Sequence, residues 1–209
     1  MGRKSALRQR AGRGDNHLRT VLAQEAARFI CDHGITDYLA AKQKAAEKLG
    51  YKNLRALPTN REIDMAVAER GRIFNAELQT TRLDDMRRVA ASIMLDLQHF
   101  RPLLTGPVLS GNITDHSIID LHLCSEPAES VGLQLMTRQI HYRSTSQRLR
   151  LERDRTEVFP AYRFAVGDFE TLATVLPERC RIHSPLSPID GRPMRRARLQ
   201  EVEQLIGGV

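Results

Sequence analysis

The sequence contains no tryptophan, and phenylalanine and tyrosine bring the aromatic share to only 5%. A chain so poor in rings has few platforms for stacking unpaired bases, so recognition of single-stranded nucleic acid by base stacking is disfavoured. Cysteine is equally sparse. Cys31, Cys124 and Cys180 are odd in number and far apart, with no Cys-x-x-Cys pair, which excludes a disulfide framework and a zinc knuckle and leaves them as small apolar residues. No run approaches about 18 consecutive apolar residues, and no apolar stretch follows the opening Met1-Gly2-Arg3-Lys4. Neither a membrane span nor a signal peptide is expected, and the expected address is the cytoplasm. There is no Walker loop and no Gly-x-Gly-x-x-Gly. Ser184 and Ser187 near His183 lack the glycine elbow of a serine hydrolase.

What the 209 residues do have is arginine and lysine, 32 against 25 acidic residues, for a net charge of +7. The excess is patterned. Residues 1 to 15, 138 to 163 and 192 to 198 each carry +4, so the rest of the chain sums to −5. Such clusters are either solvated surface or footprints for phosphate. In the second cluster Arg148 and Arg150 share one strand face and Arg153 and Arg155 the other, so one pair can join a common patch while Leu149 and Leu151 pack. Together with Arg195 and Arg196 of the third cluster, Arg148 and Arg150 are the candidate contacts to phosphate or nucleic acid.

Periodicity divides the chain. Residues 1 to 15, rich in Gly and Arg without apolar spacing, read as a basic disordered arm. From residue 16 apolar residues recur at three and four positions: Leu18, Val21, Leu22, Ala26, Phe29 and Ile30, with Gly34 placed to end the helix. Thr36 opens a second helix, Thr59 with Glu62 forms a capping box for a third, and Thr81 starts a fourth. Residues 16 to 100 therefore read as a helical domain that offers a surface to a protein partner. Beyond Pro102, Ile118 to Leu123 alternate as a strand, with Ile119, Leu121 and Leu123 on one face and Ile118, Asp120 and His122 on the other. A helix follows from Ser125 to about Gln139. Four short strands follow, at 140–145, 148–155, 158–166 and 170–176, and a closing helix runs from Met194 to Ile206. The expected class is α+β: an N-terminal helical domain, then a mixed-sheet α/β domain over residues 101 to 209.

The stretch Gly106-Pro107-Val108-Leu109-Ser110-Gly111-Asn112-Ile113-Thr114-Asp115-His116-Ser117-Ile118-Ile119-Asp120-Leu121-His122-Leu123 resembles the signature of the minimal nucleotidyltransferases of the DNA polymerase beta superfamily. In that pattern a Gly-Ser turn and a second glycine precede a strand bearing Asp-x-Asp. The resemblance extends to about Leu176 and implies a polymerase beta type of sheet. The whole chain is also similar to a bacterial group of uncharacterised nucleotidyltransferase-like proteins. The family transfers a nucleoside monophosphate from an NTP to an acceptor hydroxyl. Two Mg²⁺ ions held by carboxylates on neighbouring strands stabilise the attacking and leaving oxygens. The resemblance implies nucleotide-binding roles for Gly106, Ser110 and Gly111.

This chain departs from the pattern at the chemical positions. Ile118 stands for the first carboxylate, and Asp120 is the retained second. Leu172 stands for the third, with Glu170 two residues earlier on the same strand face as a candidate substitute. Pro107 replaces the serine and Ser110 the basic residue. One carboxylate cannot hold two Mg²⁺ ions. The expectation is a nucleotidyltransferase fold with a degenerate metal site, binding nucleotide, RNA or a protein partner without catalysis. The alternative is an active Mg²⁺-dependent nucleotidyltransferase built on Asp120 and Glu170. A metal site from Asp120 and His122, on one strand face, is a further candidate. So is a ribonuclease motif at Arg28-x4-His33.

Overall fold

The computed structural model describes residues 2–51, 57–74 and 76–207, and of residues 2–15, 74, 76, 181 and 182 it describes the backbone alone. The chain divides into two compact units, residues 1–75 with 114–116, and residues 76–113 with 117–209.

The first unit is helical. Its elements are α1 (Gly2–His33), α2 (Tyr38–Lys48) and α3 (Asn60–Phe74). The helix α1 takes in the segment 2–15, expected to be an arm without regular structure; Ser5-Ala6-Leu7-Arg8-Gln9 is a good helix-forming run that the glycines do not outweigh. Its basic side chains lie outside the described residues. Leu22, Ala26 and Ala27 of α1 pack with Ala41 and Ala45 of α2 and Ile63 and Val67 of α3. The alanines let the helices approach closely, which is how a unit with few large side chains still excludes water. Gly34, at φ +65°, ends α1 with its N–H on Ile30 O at 3.1 Å. The second helix starts one residue after the expected Thr36, at Asp37, whose Oδ1 accepts from Ala40 N at 2.9 Å. At α3 the capping box forms as the sequence predicts: Glu62 N donates to Thr59 Oγ1 at 3.2 Å, and Thr59 N donates to Glu62 Oε2 at 2.6 Å. Ion pairs Arg19–Glu62 (3.0 Å), Arg70–Asp32 (3.0 Å) and Lys48–Glu25 (2.7 Å) tie the helices at their margins.

The second unit begins with α4 (Ala76–Asp96), not at residue 101. Met86, Ala90, Ile93, Met94 and Leu97 of this helix are buried in the same core as the sheet, so it belongs with the strands. Its start lies five residues before Thr81, whose hydroxyl donates to Glu77 O within the helix. After it come β1 (Leu103–Thr105), α5 (Gly106–Ser110), β2 (Ile119–Cys124), α6 (Glu129–Thr137), β3 (Tyr142–Glu152), β4 (Arg155–Val166), β5 (Phe169–Leu176), α7 (Arg179–Ile182) and α8 (Leu199–Leu205). The fold is α+β. The sheet is mixed, in the order β1-β2-β5-β4-β3, with β2 and β5 parallel and every other pair antiparallel.

Two of the four expected strands are one. Residues 140–145 and 148–155 merge into β3 because Ser146 and Gln147 contain no breaker, and the chain reverses instead between Glu152 and Arg155. The strand β1, absent from the sequence reading, is held by β2 on one side and on the other by Ala197, through Leu104 N to Ala197 O (2.8 Å) and Ala197 N to Leu104 O (2.9 Å). The closing helix is shorter than expected, because residues 194–198 run extended to make this bridge.

One face of the sheet carries the main core. Ile119, Leu121 and Leu123 of β2 point there, as their alternation predicts, with Ala173 and Val175 of β5 and Tyr162 and Phe164 of β4, under Met94, Leu135 and Val202 of the helices. On the opposite face a smaller cluster of Leu149, Phe159, Leu176 and Cys180 closes one end of the sheet. The other end of that face holds Asp120 among buried Thr105, His122 and Leu172, with exposed Arg163 and Arg143 farther along the same row. Among the described residues no helix is long and apolar enough to cross a membrane.

Candidate functional site

The strand β1 ends in a turn that needs glycine. Gly106 has φ +72°, and a Cβ there would lie 2.6 Å from Asp120 Oδ2. Any side chain would therefore be strained by the backbone and collide with the carboxylate. The short helix α5 closes on Gly111, at φ +84°, whose N–H bonds to Pro107 O at 2.8 Å. Ser110 Oγ donates to the same carbonyl at 3.2 Å and accepts from Asn112 N at 3.4 Å. Gly106, Ser110 and Gly111 thus share one turn. Only Gly106 abuts Asp120, while the Ser110 hydroxyl is spent on its own backbone. Arg87 fastens the turn from α4, with Nε to Val108 O at 3.3 Å and Nη1 to Leu205 O at 3.0 Å.

Register decides what stands beside Asp120. Thr105, Asp120, Leu172, Arg163 and Arg143 are successive partners across the five strands, each step about 4.8 Å. Residues directly paired share a face. The carboxylate therefore has buried Leu172 on one side and, through Thr105, a segment already bound elsewhere, since Thr105 Oγ1 donates to Arg195 O at 3.1 Å. Glu170, one step along β5, is exposed and accepts from Arg163 Nη1 at 3.1 Å. The substitution of Glu170 for the missing ligand is thus opposed by an ion pair already in place. Ile118, two residues before Asp120, supplies hydrocarbon and no metal donor. A carboxylate with leucine and isoleucine at the other two positions is not a two-Mg²⁺ donor set, and among the described residues no three His, Cys, Asp or Glu side chains gather as a metal site requires.

Burial sets the charge of the two titratable groups on β2. Loss of hydration raises the Asp120 carboxyl to about 7, with Arg163 opposing. His122, 4% exposed, is lowered to about 3 by burial and by the cation of Arg196, and its Nδ1 has no hydrogen-bond partner. At neutral pH His122 is an uncharged imidazole facing a guanidinium. That neighbour repels a metal cation as it repels a proton, which counts against a metal site on Asp120 and His122.

The four arginines expected to contact phosphate are not one patch. Arg148 and Arg150 pair with Val158 and Thr156 on the face away from Asp120. Arg195 is exposed near the turn, and Arg196 is half-buried with Nη1 on Cys180 O at 2.7 Å. The exposed guanidiniums in the cross-strand row of Asp120 are Arg143 and Arg163, placed directly opposite each other, while Arg155 lies farther along the same face and is paired with Glu157. Sequence reasoning missed them because register, not composition, selects among the seven arginines of residues 138 to 163. On α1, Arg28 contacts Glu25 and Asp32 at 3.8 Å each, while His33 lies against the Phe29 ring, so Arg28 and His33 do not converge. Comparison with protein-family models, with curated proteins and with solved structures gives no significant match for this chain.

Proposed function

We propose that the second unit is a nucleotidyltransferase-like domain of polymerase beta type that binds the phosphates of a nucleotide at the exposed arginines of its Asp120 face without metal-dependent transfer. One observation carries the reading. In the row of cross-strand partners that contains Asp120, a leucine stands where a transferring enzyme of this type needs a carboxylate, and two arginines follow it. Like charges opposed on neighbouring strands are unfavourable unless an anion lies between them. Arg143 and Arg163 are so placed, with Glu170 pairing Arg163 and no ion pair to Arg143 among the described residues, beside a carboxyl that burial holds half-protonated at neutral pH. The Gly106 turn supports the same reading, since it brings backbone against Asp120 as the sequence resemblance implies. Mg²⁺ does not fit the residues present.

Equilibrium dialysis against each of the four NTPs, in EDTA and then in Mg²⁺, tests the proposal alongside incubation with labelled NTPs and either Mg²⁺ or Mn²⁺. Retention of nucleotide that is equal in EDTA and Mg²⁺, weakened by Arg143→Gln and Arg163→Gln, and accompanied by no transfer of label is the expected result. Transfer that Asp120→Ala abolishes would establish the active enzyme instead. A protein that retains no nucleotide under either condition would sink the reading.

A further inference from the structure

The second basic cluster and the start of the third meet at the edge of β3, where Gly191 lies against Arg150. The hairpin of β3 and β4 presents Ser144, Ser146, Arg148 and Arg150, all exposed, with Pro160, Val158 and Thr156 as their exposed partners. Between Ser144 and Arg150 on β3, and between Thr156 and Pro160 on β4, no carboxylate lies on this face of the ribbon. The acidic residues of the hairpin are used elsewhere: Glu157 holds both Arg155 and Arg179 on the face that packs Leu149 and Phe159, and Glu152 contacts Arg155 at 3.9 Å. A loop then closes on the free edge of β3, with Leu186 N donating to Arg150 O at 2.6 Å and Ser187 N to Arg192 O at 2.7 Å. At its tip Gly191, φ +70°, lies against the Arg150 guanidinium, 3.2 Å from where a Cβ would stand. Exposed Arg192 follows directly, and Asp190 accepts from the Arg192 backbone N–H at 3.1 Å. Arg148, Arg150 and Arg192 make no ion pair among the described residues.

We propose that Arg148 and Arg150, in line on one face of the β3–β4 ribbon, together with Arg192 of the loop beside them, bind the phosphate backbone of double-stranded nucleic acid. Three features select this occupant. The three guanidiniums make no ion pair among the described residues, and Arg148 and Arg150 stand about 6.8 Å apart along the strand, a spacing suited to successive phosphates. The exposed part of the face has serine, threonine, valine and proline but no ring, so it offers hydrogen bonds to a backbone and nothing on which an unpaired base can stack. A two-stranded antiparallel ribbon also has the width that a B-form major groove admits. The surface is separate from the Asp120 face and stands or falls independently of nucleotide binding there.

The test is fluorescence anisotropy of a labelled DNA duplex of about 20 base pairs, titrated with the full chain between about 50 and 200 mM salt. Substituting Arg148→Gln, Arg150→Gln and Arg192→Gln together should weaken binding about tenfold or more and reduce the slope of log K against log salt by about 2.7, which is about 0.9 for each phosphate contact. Each single substitution should reduce it by about 0.9. Arg155→Gln, whose guanidinium is held by Glu157, should change neither quantity. Unaltered duplex affinity and slope in the triple variant would overturn the assignment of this surface. A single strand bound as tightly as the duplex, with the same loss in the triple variant, would overturn the duplex as its occupant.

Discussion

Replacing Asp120 with asparagine should stabilise the protein at pH 8 and leave it nearly unchanged at pH 4. The folded carboxyl titrates at about 7, against an ordinary value of 3.8. Above pH 3.8 the unfolded chain releases this proton while the folded chain keeps it, so stability falls as the pH rises, by about 1.4 kcal/mol per unit, and levels off above pH 7. The full cost is about 4 kcal/mol, an upper figure for a half-buried side chain. Asparagine is neutral in both states and escapes it. His122 works in the opposite direction, with a folded value of about 3 against 6.5. Its contribution is present above pH 6.5 and is lost as the pH falls toward 3. Between about pH 4 and 6.5 the two slopes cancel in the parent protein. Urea denaturation at half-unit steps from pH 4 to 8 reads the difference between variant and parent, in which carboxylates elsewhere, such as Glu62 and Glu157, drop out. The Asp120→Asn variant should gain stability with pH where the parent is flat. A variant profile parallel to that of the parent would refute the burial argument for Asp120.

Other perturbations test the frame around that carboxylate. Gly106→Ala should destabilise strongly, since it combines a positive φ with a Cβ 2.6 Å from Asp120 Oδ2. In an Asp120→Ala background the loss measured in urea should shrink toward the backbone strain alone, about 1–2 kcal/mol. Arg87→Met should cost about 1.5–3 kcal/mol by stripping a charged donor from Val108 O and Leu205 O, and a urea midpoint equal to the parent's would contradict that. Thr59→Ala should cost the helical unit about 1 kcal/mol, visible as faster amide exchange in the first turn of α3, because both bonds of the Thr59 hydroxyl to Glu62 are lost.

Local chemistry was legible wherever neighbouring residues complete it. Thr59 and Glu62 are three positions apart and make the predicted box. Gly34 caps α1. The alternation from Ile118 to Leu123 fixes which side of β2 is core. Partners far along the chain were not legible. The strand β1 is three residues long and exists because β2 and Ala197 flank it. The fourth helix looks like its three predecessors in sequence, yet Met86, Ile93 and Met94 are buried with the sheet. Glu170 is a plausible ligand by spacing and is removed from consideration by Arg163 on another strand.

Residue order alone makes the chain helical first and mixed later, brackets a turn between Gly106 and Gly111 before the strand bearing Asp120, and puts hydrocarbon where the pattern it resembles has two carboxylates. These are properties of residue type and spacing within a few turns of chain. The tertiary structure decided which arginines face which side. Strand register sets Arg143 against Arg163 on the Asp120 face and sends Arg148 and Arg150 to the other, and the loop carrying Gly191 and Arg192 folds against the β3 edge at Arg150. Charge adds along a sequence without regard to direction, but a strand sends alternate side chains to opposite faces, so only the pairing of strands could turn the net charge of +7 into two separate basic surfaces.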